Sequence, residues 1–149
     1  MPEPVTVRLA EPADAGAIAA LIAVLASDPG EPGEVSTDYI AEVLGKGSCR
    51  ALLAMRGEGV LGVLNLSYHP SFYHAADACL IEELVVSSGA RNEGVGSRLL
   101  EHAIQMAQAH GCAEISLAVL TSNAAARRFY ERHGFEAEAI SMERHFATE

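Results

Sequence analysis

The chain has 149 residues, half of them apolar and a fifth charged, the mix of one globular domain that buries a core without disulfides or metal. Its formal charge of −10 excludes the basic stripes of a nucleic-acid-binding surface and fits a cationic partner. No apolar run approaches the roughly 20 residues of a membrane span, and Met1 to Val5 lacks the basic start and apolar core of a signal peptide.

Val5 to Leu9 alternates as a first strand, broken by Glu11-Pro12. Asp14 can cap a helix with Ile18, Leu21, Ile22 and Leu25 on its apolar face. Ser27 to Val35 holds two Pro and two Gly and reads as a loop. Ser36 or Thr37 then caps a shorter helix with Ile40, Val43 and Leu44 inward, closed by Gly45. Together these segments, from Ser27 to Gly45, are expected to shape a substrate pocket.

Cys49 to Met55 and Val60 to Tyr68 read as an antiparallel hairpin across Gly57-Glu58-Gly59. His69 to Asp77 reads as a polar, aromatic loop around Pro70. Ala78 to Val86 is a near-continuous apolar run, suited to a central strand, interrupted by Glu82 and Glu83. Val95, Leu99, Leu100, Ala103, Ile104 and Ala107 form a helix stripe ended by Gly111. Ala113 to Leu120 alternates as a strand that a parallel βαβ crossover can reach. Thr121-Ser122-Asn123 caps a further helix ending at Gly134, and Phe135 to Phe146 reads as two short terminal strands.

The strand ending at Val86 is followed by Ser87-Ser88-Gly89 and then by Arg91-Asn92-Glu93-Gly94-Val95-Gly96 at the head of a helix. A glycine loop there presents backbone N–H groups and the positive end of a helix dipole, which suits a phosphate. Arg91, Arg98, Arg127, Arg128 and Arg132 crowd the same half of an acidic chain, and Arg forks match phosphate geometry. A dinucleotide fingerprint would need a third glycine or alanine where Leu99 stands, and a P-loop would need Gly-Lys-Ser/Thr. Cys49, Cys79 and Cys112 are odd in number and lack Cys-x-x-Cys spacing, and the six His have no ligand spacing. No metal site and a reducing cytoplasm are therefore expected.

Two signatures in order carry a family likeness: Arg91-x-x-Gly94-x-Gly96, and downstream Asn123-x-x-Ala126-x-x-x-Tyr130-x-x-x-Gly134-Phe135. Over nearly its whole length the chain resembles a GNAT-superfamily N-acetyltransferase. The resemblance implies a single acetyltransferase domain over residues 1–149. It also implies an α/β fold with a mixed six- to seven-stranded sheet, splayed after the fourth strand, and about four helices on both faces. Acetyl-CoA is the implied co-substrate. Its pantetheine arm would bond backbone around Leu84, Val85 and Val86. Its pyrophosphate would rest on Arg91, Asn92, Glu93, Gly94, Val95, Gly96 and Ser97, with Asn123, Ala126 and Tyr130 also in the cofactor set. Tyr130 matches the family position that gives a proton to the departing thiolate, and Asn123 reads equally well as a helix cap.

An amine must lose a proton before it attacks a thioester. Strand alternation places Glu82, not Glu83, with Leu84 and Val86, so Glu82 is the preferred base; a bulge would reverse that choice. Glu82 also reads as a structural acid paired with an arginine. Asp77, His74 and His69 are weaker candidates for the base, and Tyr68, Phe72 and Tyr73 could line the acceptor pocket. Nothing places a base beside Cys79, so no acyl-enzyme is expected. The acceptor implied by Ile81-Glu82-Glu83-Leu84-Val85-Val86 is the primary amine of a small molecule, attacked directly in a ternary complex. A protein N-terminus or lysine is the alternative acceptor, and a non-catalytic acyl-CoA-binding module the alternative class. Members of the superfamily are often homodimers, and the terminal strands could pair across subunits.

Overall fold

The computed structural model of the chain describes residues 3–25 and 35–147, which fall into two units, Met1–Ser116 and Leu117–Glu149. The first unit is built on five strands in spatial order β1 (Val5–Leu9), β2 (Arg50–Arg56), β3 (Gly59–Ser71), β4 (Ala76–Val86) and β5 (Ile115–Ser116). The first four pair antiparallel and β5 lies parallel to β4, which makes the sheet mixed.

Ala51 to Met55 on β2 are all buried, as expected for a strand covered on both faces. One cover is α1 (Ala15–Leu25) with α2 (Thr37–Lys46): Ile18 and Leu21 pack with Leu53, Met55, Val63 and Val85, and Ile40 and Leu44 join at the margin. The other is α3 (Val95–His110), whose stripe of Val95, Leu99, Leu100, Ala103 and Ala107 is buried. Each large aliphatic side chain buried this way is worth roughly 1.5–3 kcal/mol.

Local chemistry explains the ends of these helices. Ser36 accepts from the Tyr39 amide at 3.1 Å and starts α2. The helix runs through Gly45 and stops at Gly47, because Gly47 takes the left-handed conformation (φ 72) that turns the chain away. Gly111 does the same for α3 at φ 90. The proline-glycine loop read over Ser27 to Val35 lies, apart from Val35, outside the described residues.

Three further sequence expectations differ from the structure. His69 to Asp77 is not a loop: β3 and β4 continue as a hairpin through Ser71↔Ala76, leaving only Phe72–Ala75 as the turn. Pro70 is tolerated because β2 pairs β3 only as far as Leu66, so Pro70 sits where β3 has no second strand neighbour. Ala113 to Leu120 forms a ladder only at Ile115 and Ser116. Phe135 to Phe146 forms no strand among the described residues, so the sheet has five strands and not six or seven. Alternation supplies a face, but a strand also needs a neighbouring backbone, and that is not written in its own residues.

The second unit holds α4 (Ala124–Arg132). Asn123 caps it, its Oδ1 accepting from the Ala126 amide at 3.1 Å. The helix ends where the His133 and Phe135 amides both donate to the Tyr130 carbonyl, with Gly134 left-handed at φ 89.

Candidate active site

β4 and β5 part almost at once. They pair only at Cys79↔Ile115 and Leu80↔Ser116, and from Ile81 to Val86 that edge of β4 has no strand partner among the described residues. Backbone amides and carbonyls near Leu84 and Val86 are therefore available to an extended ligand that can replace a missing strand. Val85 between them is buried in the α1 face of the core, while Leu84 and Val86 are half-buried.

The chain then passes Ser87 and enters the glycine turn. Arg91 is extended, Asn92 is left-handed at φ 67 and Gly94 again at φ 78, where it stands as the N-cap of α3. Gly94 brings no side-chain acceptor, so the first-turn amides of Val95 and Gly96 are not capped by it. A Cβ on Gly94 would meet nothing within 4 Å, so the surface over the turn is open. The Val95 side chain is 1% exposed and serves the core, leaving only its backbone for a ligand. Arg91, Asn92 and Glu93 are exposed; Glu93 is 3.7 Å from Arg56 at the end of β2. That half-exposed pair is worth under about 1 kcal/mol. A free β4 edge leading to uncapped amides at a helix head fits a pantetheine arm followed by a pyrophosphate.

The acids are arranged by a β-bulge. Leu64↔Leu84 and Asn65↔Glu83 are in register, yet Leu66 pairs with Ile81, so Glu82 has no partner on β3. The alternation that would group Glu82 with Leu84 and Val86 does not cross this bulge. Glu82 is exposed, whereas Glu83 is half-buried on the face of Val63 and Val85. Asn65 Nδ2 donates to Glu83 Oε2 at 2.8 Å. Burial raises the pKa of Glu83, the Asn65 hydrogen bond opposes that rise, and the neighbouring Glu82 charge adds to it. Asn65 did not emerge from periodicity; its signal was one amide within the apolar run Val63-Leu64-Asn65-Leu66.

The weaker candidates are engaged elsewhere. Asp77 Oδ2 is 2.9 Å from His110 Nε2, His110 stacks on Tyr68 at 3.8 Å, and His74 is 3.6 Å from Glu114. Asp77 is six positions from Glu83 along β4, about 20 Å at strand rise. Phe72 and Tyr73 are 96% and 93% exposed at the hairpin tip. Cys79 is buried and its thiol is pushed up to about 11, chiefly by that burial, which suits packing and not nucleophilic attack.

In the second unit Tyr130 is half-buried, its ring edge-on to Phe129 and Phe135 at 5.0 and 5.8 Å. Burial pushes its phenol above the ordinary tyrosine range, so it keeps its proton at neutral pH. Ala126, one turn earlier, is half-buried. Among the described residues no cluster of three or more His, Cys, Asp or Glu could hold a metal, and no helix is long and apolar enough to cross a membrane.

A mixed sheet that opens beside its fourth strand, with a glycine turn heading the next helix, is the layout of an acyl-CoA-dependent N-acetyltransferase. The model of the acetyltransferase (GNAT) family matches residues 18–135. The fold is similar to a transcriptional regulator from Bacillus halodurans C-125, at 29% identity and a TM-score of 0.83, covering 96% of this chain and 100% of that one. It is similar to the ribosomal-protein-alanine N-acetyltransferase of Brucella melitensis biovar Abortus 2308, at 20% identity and a TM-score of 0.81, covering 97% and 100%. An aminoglycoside acetyltransferase from an uncultured soil metagenomic sample gives 15% identity and a TM-score of 0.81, covering 97% of each chain. No curated protein matches. The chain belongs to the acetyltransferase (GNAT) family.

Proposed function

We propose that residues 1–149 act as one domain that transfers an acetyl group from acetyl-CoA to the primary amine of a small molecule, by direct attack in a ternary complex. Bound acetyl-CoA supplies the activated thioester. Leu84, Val85 and Val86 offer it backbone bonds, and the Arg91 to Ser97 turn receives its phosphates. An amide near Val86 meets the charge that gathers on the carbonyl oxygen during attack.

The observation that carries this reading is the bulge at Glu82, which sets Glu83 half-buried beside an uncovered stretch of β4. A carboxylate with a raised pKa is a competent base near neutral pH, so Glu83 takes the substrate's proton, directly or through a water. Glu82 is exposed and has no partner on β3. Tyr130 keeps its proton and gives it to the departing thiolate. The cytoplasm suits a chain whose three cysteines are free. The charge of −10 favours a cationic amine over a neutral acceptor.

The test is thiol release from acetyl-CoA across small primary amines, aminoglycosides and peptides with free N-termini. Turnover with a small amine and none with peptides supports the proposal. Turnover with peptides alone moves the acceptor to a protein N-terminus or lysine. Tight CoA binding with no turnover on any amine overturns the enzyme reading in favour of a binding module.

A further inference from the structure

Asn65 stands in the middle of β3 between the fully buried Leu64 and Leu66, directly across from Glu83. Its Nδ2 donates to Glu83 Oε2 at 2.8 Å, while its Oδ1 is buried without a donor among the described residues. A side chain that is half satisfied in a strand centre is poor packing material; an aliphatic residue would serve the sheet better. The two ends of the carboxamide are also not interchangeable. An ionised carboxylate only accepts, so it holds the NH2 end toward itself and turns the carbonyl end away.

We infer that Asn65 is a positioning residue for the reaction, gripping the Glu83 carboxylate in the orientation in which it takes the substrate's proton. The inference rests on the reading of Glu83 as the base. The other group that acts on Glu83 is Glu82, next to it on β4; Glu83 in turn acts on Cys49, just before β2, whose thiol is pushed up first by burial and then by the Glu83 charge. Arg50 acts on Cys49. No cation is paired with Glu83 among the described residues, so the Asn65 amide is the one neighbour that favours its ionised form. Removing that amide leaves burial and Glu82 unopposed. Glu83 then loses its proton at higher pH, and the acid limb of activity follows it upward.

The experiment measures two things in wild type, Asn65→Ala and Asn65→Asp. One is the Glu83 carboxyl titration by carbon-13 NMR in the free protein. The other is kcat/KM against pH, with CoA affinity alongside. In Asn65→Ala both the titration and the acid limb move up by about one unit, a tenfold loss at pH values below the limb, and activity recovers at high pH. Asn65→Asp sets a second acid against Glu83 and moves both further. CoA affinity is unchanged in each. A Glu83 titration that stays put in both variants overturns the inference, as does an activity loss equal at every pH. Glu83→Gln separates the two readings: an acid limb that survives in it removes Glu83 as the base, whereas the titration still reports whether Asn65 grips the carboxylate.

Discussion

A Cβ placed on Gly62 would stand 2.9 Å from the carbonyl oxygen of Val85 and 3.2 Å from Leu99 Cδ1. β3, β4 and α3 meet at this point, and the strand bearing the candidate base is held there against the helix that begins at the glycine turn. Even one methyl must displace backbone. We expect Gly62→Ala to cost about 1–3 kcal/mol, as overpacking does. A urea midpoint that falls with an unchanged slope checks it. A midpoint equal to wild type would show that β4 can move away from β3 at no cost.

Glu83 and Glu82 make opposite predictions. A base works deprotonated, and the pKa of Glu83 is raised, first by burial. The acid limb of kcat/KM therefore lies above the ordinary carboxylate range of about 4.3. Glu83→Gln should lower turnover by about a hundredfold or more and flatten that limb, with CoA affinity unaltered. Glu82→Gln should keep turnover within about twofold, since the residue is exposed. If Glu82→Gln instead flattens the limb, the assignment passes to Glu82.

That pair shows what the residues reveal in advance and what they do not. The apolar run of β4, the glycine turn and the capped helices are local: each follows from a run, a small residue or a cap such as Ser36 or Asn123, and each is present. The bulge at Glu82 is not local. Register is a property of two strands, and nothing within Ile81 to Val86 shows that Leu66 pairs with Ile81. The same reasoning covers the hairpin through Pro70 and the strands missing from Phe135 to Phe146. Asn65 is marked in its own run only as a lone amide among apolar residues, and nothing in that run names Glu83 as its partner.

Gly94 adopts φ 78 with open space where a Cβ would go, so a substitution acts through the backbone and not by a clash. Gly94→Ala should cost about 1 kcal/mol of stability and distort the first-turn amides. The KM for acetyl-CoA should rise severalfold or more, with the KM for the amine little changed. Isothermal titration with CoA checks it. A stability loss with intact CoA affinity would place the phosphates away from this turn.

Tyr130 tests the leaving-group step. Its phenol is pushed above the ordinary tyrosine range by burial, so it carries its proton at neutral pH. Tyr130→Phe keeps the ring contacts with Phe129 and Phe135 and removes only the hydroxyl. Turnover should fall about a hundredfold while CoA affinity holds. Equal losses in both would assign the residue to packing.

Stability in acid should turn on the entry to α1. Arg8 makes two bonds of 2.9 Å to the Asp14 carboxylate, which also accepts from the Glu11 amide at 2.8 Å. The Arg8 bond is the main reason that the Asp14 pKa is lowered to about 2. The folded chain therefore holds this proton more weakly than the unfolded chain, where the value is about 3.9. The stabilisation is fully present above about pH 4 and is lost as the pH falls toward 2. Because Arg8 is 44% exposed, solvent screening limits the contribution to about 1 kcal/mol or less. Asp14→Asn should lower the urea midpoint at pH 7, and the gap from wild type should narrow as the pH falls from 4 to about 2. A gap as wide at about pH 2 as at pH 7 would mean that Asp14 acts through packing and the Glu11 hydrogen bond, without its charge.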